Sequence, residues 1–192
     1  MARTKEFDPD VALQRALELF WERGYESTSM NDLVERLGVA KASIYATFGG
    51  KRELYIKALD RYLRRRDVIG PLAQPGPAVP AVRAFLDSYV ATCLADELRR
   101  GCMVVNSAVE FASRDPGVLA KVAASWTELE TALAGALTRA RAQGEIPESK
   151  DPQALARFLL VLLQGLQVLA RADPDPRRLR DAVDQAMAAV QI

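Results

Sequence analysis

Gly24-Tyr25 … Thr28-Ser29-Met30-Asn31-Asp32-Leu33 … Leu37-Gly38-Val39-Ala40-Lys41-Ala42-Ser43-Ile44-Tyr45 … Phe48 is the stretch that decides the fold. Ser29 and Asp32 have the spacing of a capping box, with Asp in the position usually held by Glu. Met30, Leu33, Val34 and Leu37 form one apolar helical stripe, and Gly38 stops it. A second short helix, Lys41 to Phe48, starts three residues later and ends at Gly49-Gly50. Gly38 permits a sharp turn and Val39 packs between the two helices, so the pair reads as a helix-turn-helix. In that arrangement the second helix lies in a major groove with its N-terminal residues at base edges. Its outward residues are Lys41, Ala42, Ser43, Ala46 and Thr47, mostly small or polar, as close approach to DNA requires. Ile44 and Phe48, four apart, face inward.

Helical signals continue on both sides. Upstream, Asp8-Pro9-Asp10 offers an N-cap, a Pro at the first helical position and an acid in the first turn. Leu13, Ala16, Leu17, Phe20 and Trp21 then follow at helical spacing up to Gly24. Downstream, a helix is expected from Lys51 to about Val68, with Leu54, Ala58, Leu59, Tyr62 and Leu63 inward. Gly70 to Pro80 holds four Pro and two Gly in eleven residues, the clearest break in the chain. It divides residues 1–68 from residues 69–192. Beyond it, helices are expected over 81–99, 103–112, 116–142, 152–172 and 176–190, with Asp-Pro pairs marking starts and Gly101 and Gly144 marking ends. The reading is all-α: nine helices and no strand.

The first sixty residues resemble the DNA-binding domain of the TetR family of transcriptional regulators. The resemblance rests on Gly24-Tyr25, Thr28 to Leu33, Leu37 to Tyr45, Phe48, Lys51 and Leu54. It implies a homodimer on double-stranded operator DNA, one subunit per half-site, with a variable C-terminal domain that binds a small-molecule effector. It places Lys41, Ser43, Tyr45 and Thr47 at recognition-helix contact positions, Tyr45 meeting a phosphate through its hydroxyl. Lys51, at the start of the next helix, suits a phosphate, because a cation and helix N–H groups act together there. Thr28 and Ser29 have two readings, helix caps or hydroxyl donors to the DNA backbone. Asn31 suits an adenine edge. Two positions depart from the family pattern: Ala40 stands where Ser is common, removing a side-chain cap, and Ala42 stands where Gly is frequent. Arg64-Arg65-Arg66 reads first as a solvated charge run.

Composition narrows the alternatives. The 192 residues carry 26 Lys+Arg, 25 Asp+Glu, no His and two Cys. Without His there is no Ser-His-Asp catalysis and no His-bearing zinc site, and two Cys build no four-cysteine site. No cofactor or metal is expected, and no motif supports an enzyme, the remote alternative being acid–base chemistry at Glu110 with Glu130 or Tyr89. A net charge of +1 would argue against nucleic acid. Residues 1–66, however, hold 13 Lys/Arg and 10 Asp/Glu, a net of +3, and the rest a net of −2. So modest an excess implies few phosphate contacts per subunit. The polar N-terminus does not read as a signal peptide, and Phe158 to Leu163 is too short to span a membrane. A cytoplasmic protein with no membrane partner is expected.

The C-terminal segment holds candidates for a pocket and a subunit interface. Residues 152–172 are apolar nearly all round, which demands burial on several sides. A dimer interface is therefore expected at Leu155, Phe158, Leu159, Leu162, Leu166 and Leu169, joined by Leu179, Val183 and Met187 of the last helix. The other reading is that these helices cap the monomer core. An apolar effector pocket with a few polar groups is expected from Tyr89, Cys93, Cys102, Met103, Asn106, Glu110, Phe111, Trp126, Glu130 and Gln164. Asn106 and Glu110 share a helix face, where they either line a cavity or bond neighbouring helices. Cys102 follows Gly101 near a helix start beside Arg99 and Arg100, a setting that lowers thiol pKa. It reads either as an oxidant- or electrophile-sensitive switch or as a small buried hydrophobe.

Overall fold

Side-chain caps set where several of the helices begin. The structure, a computed structural model, describes residues 7–65, 70–112 and 114–191, and is all-helical among them. Helix α1 (Pro9–Arg23) starts at Asp8, whose carboxylate accepts from the Asp10 N–H at 2.8 Å. Helix α2 (Met30–Leu37) starts in the capping box, Ser29 and Asp32 each accepting from the other's backbone N–H. Gly38, at φ 70°, closes α2 in the left-handed conformation that glycine adopts without a Cβ clash. Helix α3 (Lys41–Phe48) follows, and then α4 (Lys51–Arg64). The expected extension of α4 to Val68 falls partly on residues 66–69, outside the described residues.

The chain divides into two compact units, residues 1–66 with 106–119, and residues 67–105 with 120–192. In the first, α1 buries Ala16, Leu17 and Phe20, α2 buries Leu33 and Leu37, α3 buries Ile44 and Phe48, and α4 buries Leu54, Tyr55, Ala58 and Leu59. The unit also takes in Asn106–Leu119, which lies beyond the Pro-rich break in sequence.

In the second unit the Pro-rich stretch is more ordered than its composition suggests. A further helix, α5 (Gly70–Ala73), forms inside it, so the expected count of nine falls one short of the ten among the described residues. Leu72 is buried, and the Arg139 guanidinium donates to the carbonyls of Leu72 and Gln74 at 2.9 and 3.3 Å. Helix α6 (Ala78–Ala95) begins three residues earlier than expected. Pro80 falls in its first turn, where no N–H partner is lost. Glu145, distant in sequence, caps this start by accepting from the Ala78 and Val79 N–H groups, each at 2.8 Å.

Helices α7 (Met103–Phe111), α8 (Pro116–Ala142), α9 (Pro152–Ala172) and α10 (Pro176–Gln191) complete the chain. Asp115, Asp151 and Asp175 cap α8, α9 and α10 through the N–H groups that follow each Pro. The core of the second unit joins α6, α8, α9 and α10 through residues such as Val82, Leu86, Leu133, Leu137, Leu159, Leu163, Val183 and Val190. By length and composition α6 and α9 are each long and apolar enough to cross a membrane, a test that the core helix of a soluble protein also passes. Each places one face in this core.

Candidate nucleic-acid interface

The helix-turn-helix places its outward side chains as the local pattern demands. Ile44 and Phe48 anchor α3 in the core of the first unit, at 0% and 6% exposure. The opposite face therefore turns out: Lys41, Ala42, Tyr45 and Ala46 are exposed, and Ser43 and Thr47 are half-buried. Tyr45, at 48% exposure, is a large aromatic side chain carrying a polar hydroxyl. Such a ring suits a surface that is partly apolar and partly wet. α3 has no side-chain cap at Ala40.

Gly49 and Gly50, at φ 95° and 140°, bring the end of α3 back to the start of α4. Tyr45 lies against this turn, its ring 3.4 Å from where a Cβ on Gly50 would stand. Lys51 opens α4, and its ammonium sits 4.1 Å from the Tyr25 ring centroid. This cation–π contact uses the ring face and leaves ammonium N–H groups for an anion.

The two hydroxyls ahead of α2 differ. Thr28 is fully buried and donates to the Gly24 carbonyl at 2.6 Å. Its expected contact with DNA is therefore corrected to a structural role: the hydroxyl closes the turn. Ser29 is exposed, and its hydroxyl bonds Asp32. That hydroxyl, the Ser29 N–H and then the Arg23 guanidinium hold the Asp32 carboxyl below its usual range. Asn31 is exposed on the first turn of α2, and Arg64 and Arg65 are exposed at the end of α4.

The residues expected to line one pocket occupy four settings. Tyr89 and Cys93 are in the core of the second unit, Tyr89 tilted against Phe85 with centroids 6.1 Å apart. Cys102 and Met103 are also buried, and Arg100 beside them is paired with Asp96 at 3.0 Å. On α8 and α9, the Trp126 indole N–H donates to Gln164 at 3.1 Å, and Glu130 accepts from Gln153 and from Arg157. Asn106, Glu110 and Phe111 belong to the first unit. There Phe111 packs against Tyr25 and Tyr55, with centroids 4.9 and 5.1 Å apart, and the Glu110 carboxylate accepts from the N–H groups of Tyr25 and Glu26.

The expected interface residues also separate. Leu159, Leu166, Leu179, Val183 and Met187 are buried in the core of the second unit, so they are corrected from interface to core. Leu155 and Leu162 are half-buried, and Phe158 and Leu169 are exposed. The exposed stripe of α9 runs Phe158, Val161, Val168 and Leu169, at 46, 71, 51 and 40% exposure. Val161 carries no distinguishing signal in the sequence, whereas Val168 is among the positions that make this helix apolar nearly all round. Periodicity marks a helix apolar all round without saying which arc meets its own core.

Residues sequence reasoning passed over complete the first unit. Arg52 clamps Asp115 through Nε at 2.6 Å and Nη2 at 3.0 Å. The Tyr55 hydroxyl and the Ser107 hydroxyl share a buried hydrogen bond of 2.8 Å. Burial pushes the Tyr55 phenol well above its usual value, so it stays neutral.

Known proteins match along the whole chain. Residues 12–58 match the family described as bacterial regulatory proteins, tetR family, and residues 78–187 match the tetracyclin repressor-like C-terminal domain. The chain is 37% identical over 190 residues to an uncharacterized HTH-type transcriptional regulator, YezE, of Bacillus subtilis, covering 97% of this chain and 98% of that one. It is 36% identical over 174 residues to the HTH-type transcriptional repressor ComR of Escherichia coli, covering 88% and 82%. Among solved structures, a cysteine mutant of the TetR family regulator CifR, complexed with 26-base-pair operator DNA, superposes with a TM-score of 0.84 at 33% identity. That match covers 97% of this chain and 99% of the other.

Proposed function

Since this chain belongs to the TetR family of helix-turn-helix transcriptional regulators, we propose that it is a homodimeric repressor released from its operator by a small molecule. The outward face of α3 carries this reading: Lys41, Ala42 and Tyr45 exposed over buried Ile44 and Phe48, in a fold shared with a regulator bound to operator DNA. Lys41 and Lys51 meet phosphates, Tyr45 gives its hydroxyl to a phosphate, and Ala42, Ser43 and Thr47 face bases. Ser29 and Asn31 approach from α2. Two such heads joined as a dimer read half-sites about 34 Å apart or a multiple of this. The exposed apolar stripe of α9 suits the dimer contact, because an uncovered row of large apolar side chains gains by burial.

The second unit binds the effector, an apolar or amphipathic small molecule. Ligand and operator oppose each other through linkage, each favouring a different separation of the reading heads. A regulator of this kind works beside the chromosome, in the cytoplasm, and catalyses no reaction. A second reading is release by oxidation or alkylation of Cys102, which lies just before the first turn of α7.

A gel shift with the DNA upstream of the protein's own gene tests both readings, repeated across salt, thiol oxidant and a ligand panel. Tyr45→Phe with Lys41→Ala is expected to weaken specific binding at least tenfold. Unchanged affinity in that double variant would remove α3 as the interface, and release by oxidant that persists in Cys102→Ser would remove the thiol switch.

A further inference from the structure

The turn between α1 and α2 spans residues 24–29, and its backbone groups find partners both within the turn and outside it. Gly24 N–H returns to the Phe20 carbonyl at 2.8 Å, and Thr28 N–H donates to the Tyr25 carbonyl at 3.2 Å. The Thr28 hydroxyl closes on the Gly24 carbonyl. The N–H groups of Tyr25 and Glu26 are served from outside the turn. Tyr25 N–H donates to Oε2 of Glu110 and Glu26 N–H to Oε1, both at 2.9 Å. Both carboxylate oxygens are thus used, one per amide, in charge-assisted bonds that are stronger than neutral ones.

Neighbouring contacts support the same geometry. Gly24 stands at φ 86°, and a Cβ there would lie 2.8 Å from Oε1 of Glu110, so any side chain at this position would displace the carboxylate. One turn further along the chain, Arg114 pairs with Glu26 at 2.8 Å. Phe111, the residue after Glu110, packs on the Tyr25 ring, whose contacts also include the Lys51 ammonium. The turn leads directly into the capping box and first turn of α2, which carry Ser29 and Asn31.

We propose that Glu110 is a positioning residue for DNA binding: its carboxylate holds the α1–α2 turn by the Tyr25 and Glu26 amides and so sets the placement of α2 and Lys51 against the duplex. The proposal rests on the DNA-binding reading above. It takes Glu110 out of the effector pocket and makes residues 106–119 a working part of the reading head. Glu110 itself touches no DNA.

The test is Glu110→Gln, which keeps the size but offers one acceptor oxygen in place of two and turns an NH2 group towards an N–H donor. Glu110→Ala, which removes the carboxylate and leaves the backbone of the turn unchanged, is the second variant. Hydrogen exchange of the free full-length protein is followed residue by residue, together with binding to the upstream DNA over a range of salt. Exchange at Tyr25 and Glu26 is expected to rise about tenfold or more, with other helix amides unchanged. Operator Kd is expected to rise severalfold with the same salt slope, since no phosphate contact is lost. Wild-type exchange at those two amides overturns the proposal, as does faster exchange with unchanged operator affinity. A rise in exchange spread evenly over all helices, in both variants, makes the role one of general stability and equally overturns it. Failure of the wild-type protein itself to bind operator would instead refute the DNA-binding reading, and the exchange data would still decide whether Glu110 holds the turn.

Discussion

Val161→Glu is expected to break the proposed dimer without harming the fold of the chain. Val161 lies at the centre of the α9 stripe and leaves 71% of its surface exposed in the protomer. Full burial of a Val side chain contributes about 1.5–3 kcal/mol. A twofold interface contains the residue twice, so seating both copies contributes about 2–4 kcal/mol in all. Losing that alone weakens dimerisation by about 30-fold to roughly 700-fold. The two carboxylates add to this, since each loses water near a like charge.

Sedimentation velocity across a dilution series gives the dimer Kd, and circular dichroism checks helicity. Leu159→Ala supplies the contrast. Leu159 is fully buried in the subunit core, so truncation is expected to cost about 2–5 kcal/mol of folding stability. A dimer Kd for Val161→Glu equal to that of the wild type would refute the assignment of this stripe. So would a melting temperature lowered as far as that of Leu159→Ala, because Val161 would then be part of the core.

Two further outcomes depend on single groups. The hydrogen bond from Arg52, and then the N–H groups of Val118 and Gly117, hold the Asp115 carboxyl below its ordinary value. A depressed folded pKa gives stability that is present above the unfolded value, about 3.9, and is lost as pH falls through the folded one. Thermal melts from neutral pH downward should therefore show an acid limb below about pH 4 that is shallower in Asp115→Asn; an identical slope would count against the clamp. Ala40→Ser restores a side-chain cap to α3, which has none. It is expected to add about 1 kcal/mol, or roughly 2–4 °C of melting temperature, in a scanning melt.

The helix-turn-helix was legible because its determinants are local. Ser29 with Asp32, the stripe from Met30 to Leu37, Gly38 in the left-handed region and the pair Ile44–Phe48 all act within a few residues, and spacing alone reveals them. The Asp-Pro starts at Asp115, Asp151 and Asp175 were legible for the same reason, whereas Asp173-Pro174, expected to mark a start as well, closes α9 instead. Helix α5 was not legible, since Gly70–Ala73 is secured by Arg139, far along the chain. Nor was the early start of α6, whose cap is Glu145.

Sequence by itself determined nine of the ten helices found among the described residues, their order, the helix-turn-helix and the outward face of α3, because a helix's caps and amphipathic stripe are short-range properties. Tertiary structure alone decided which arc of α9 is core and which is uncovered, that Thr28 closes a turn, and that Glu110 serves the Tyr25 and Glu26 amides. Those outcomes depend on which groups, some eighty-five residues apart in the chain, arrive within 3 Å of one another. A carboxylate at helical spacing looks the same in sequence whether it lines a cavity or grips a backbone. Only the position of its partners in space distinguishes the two.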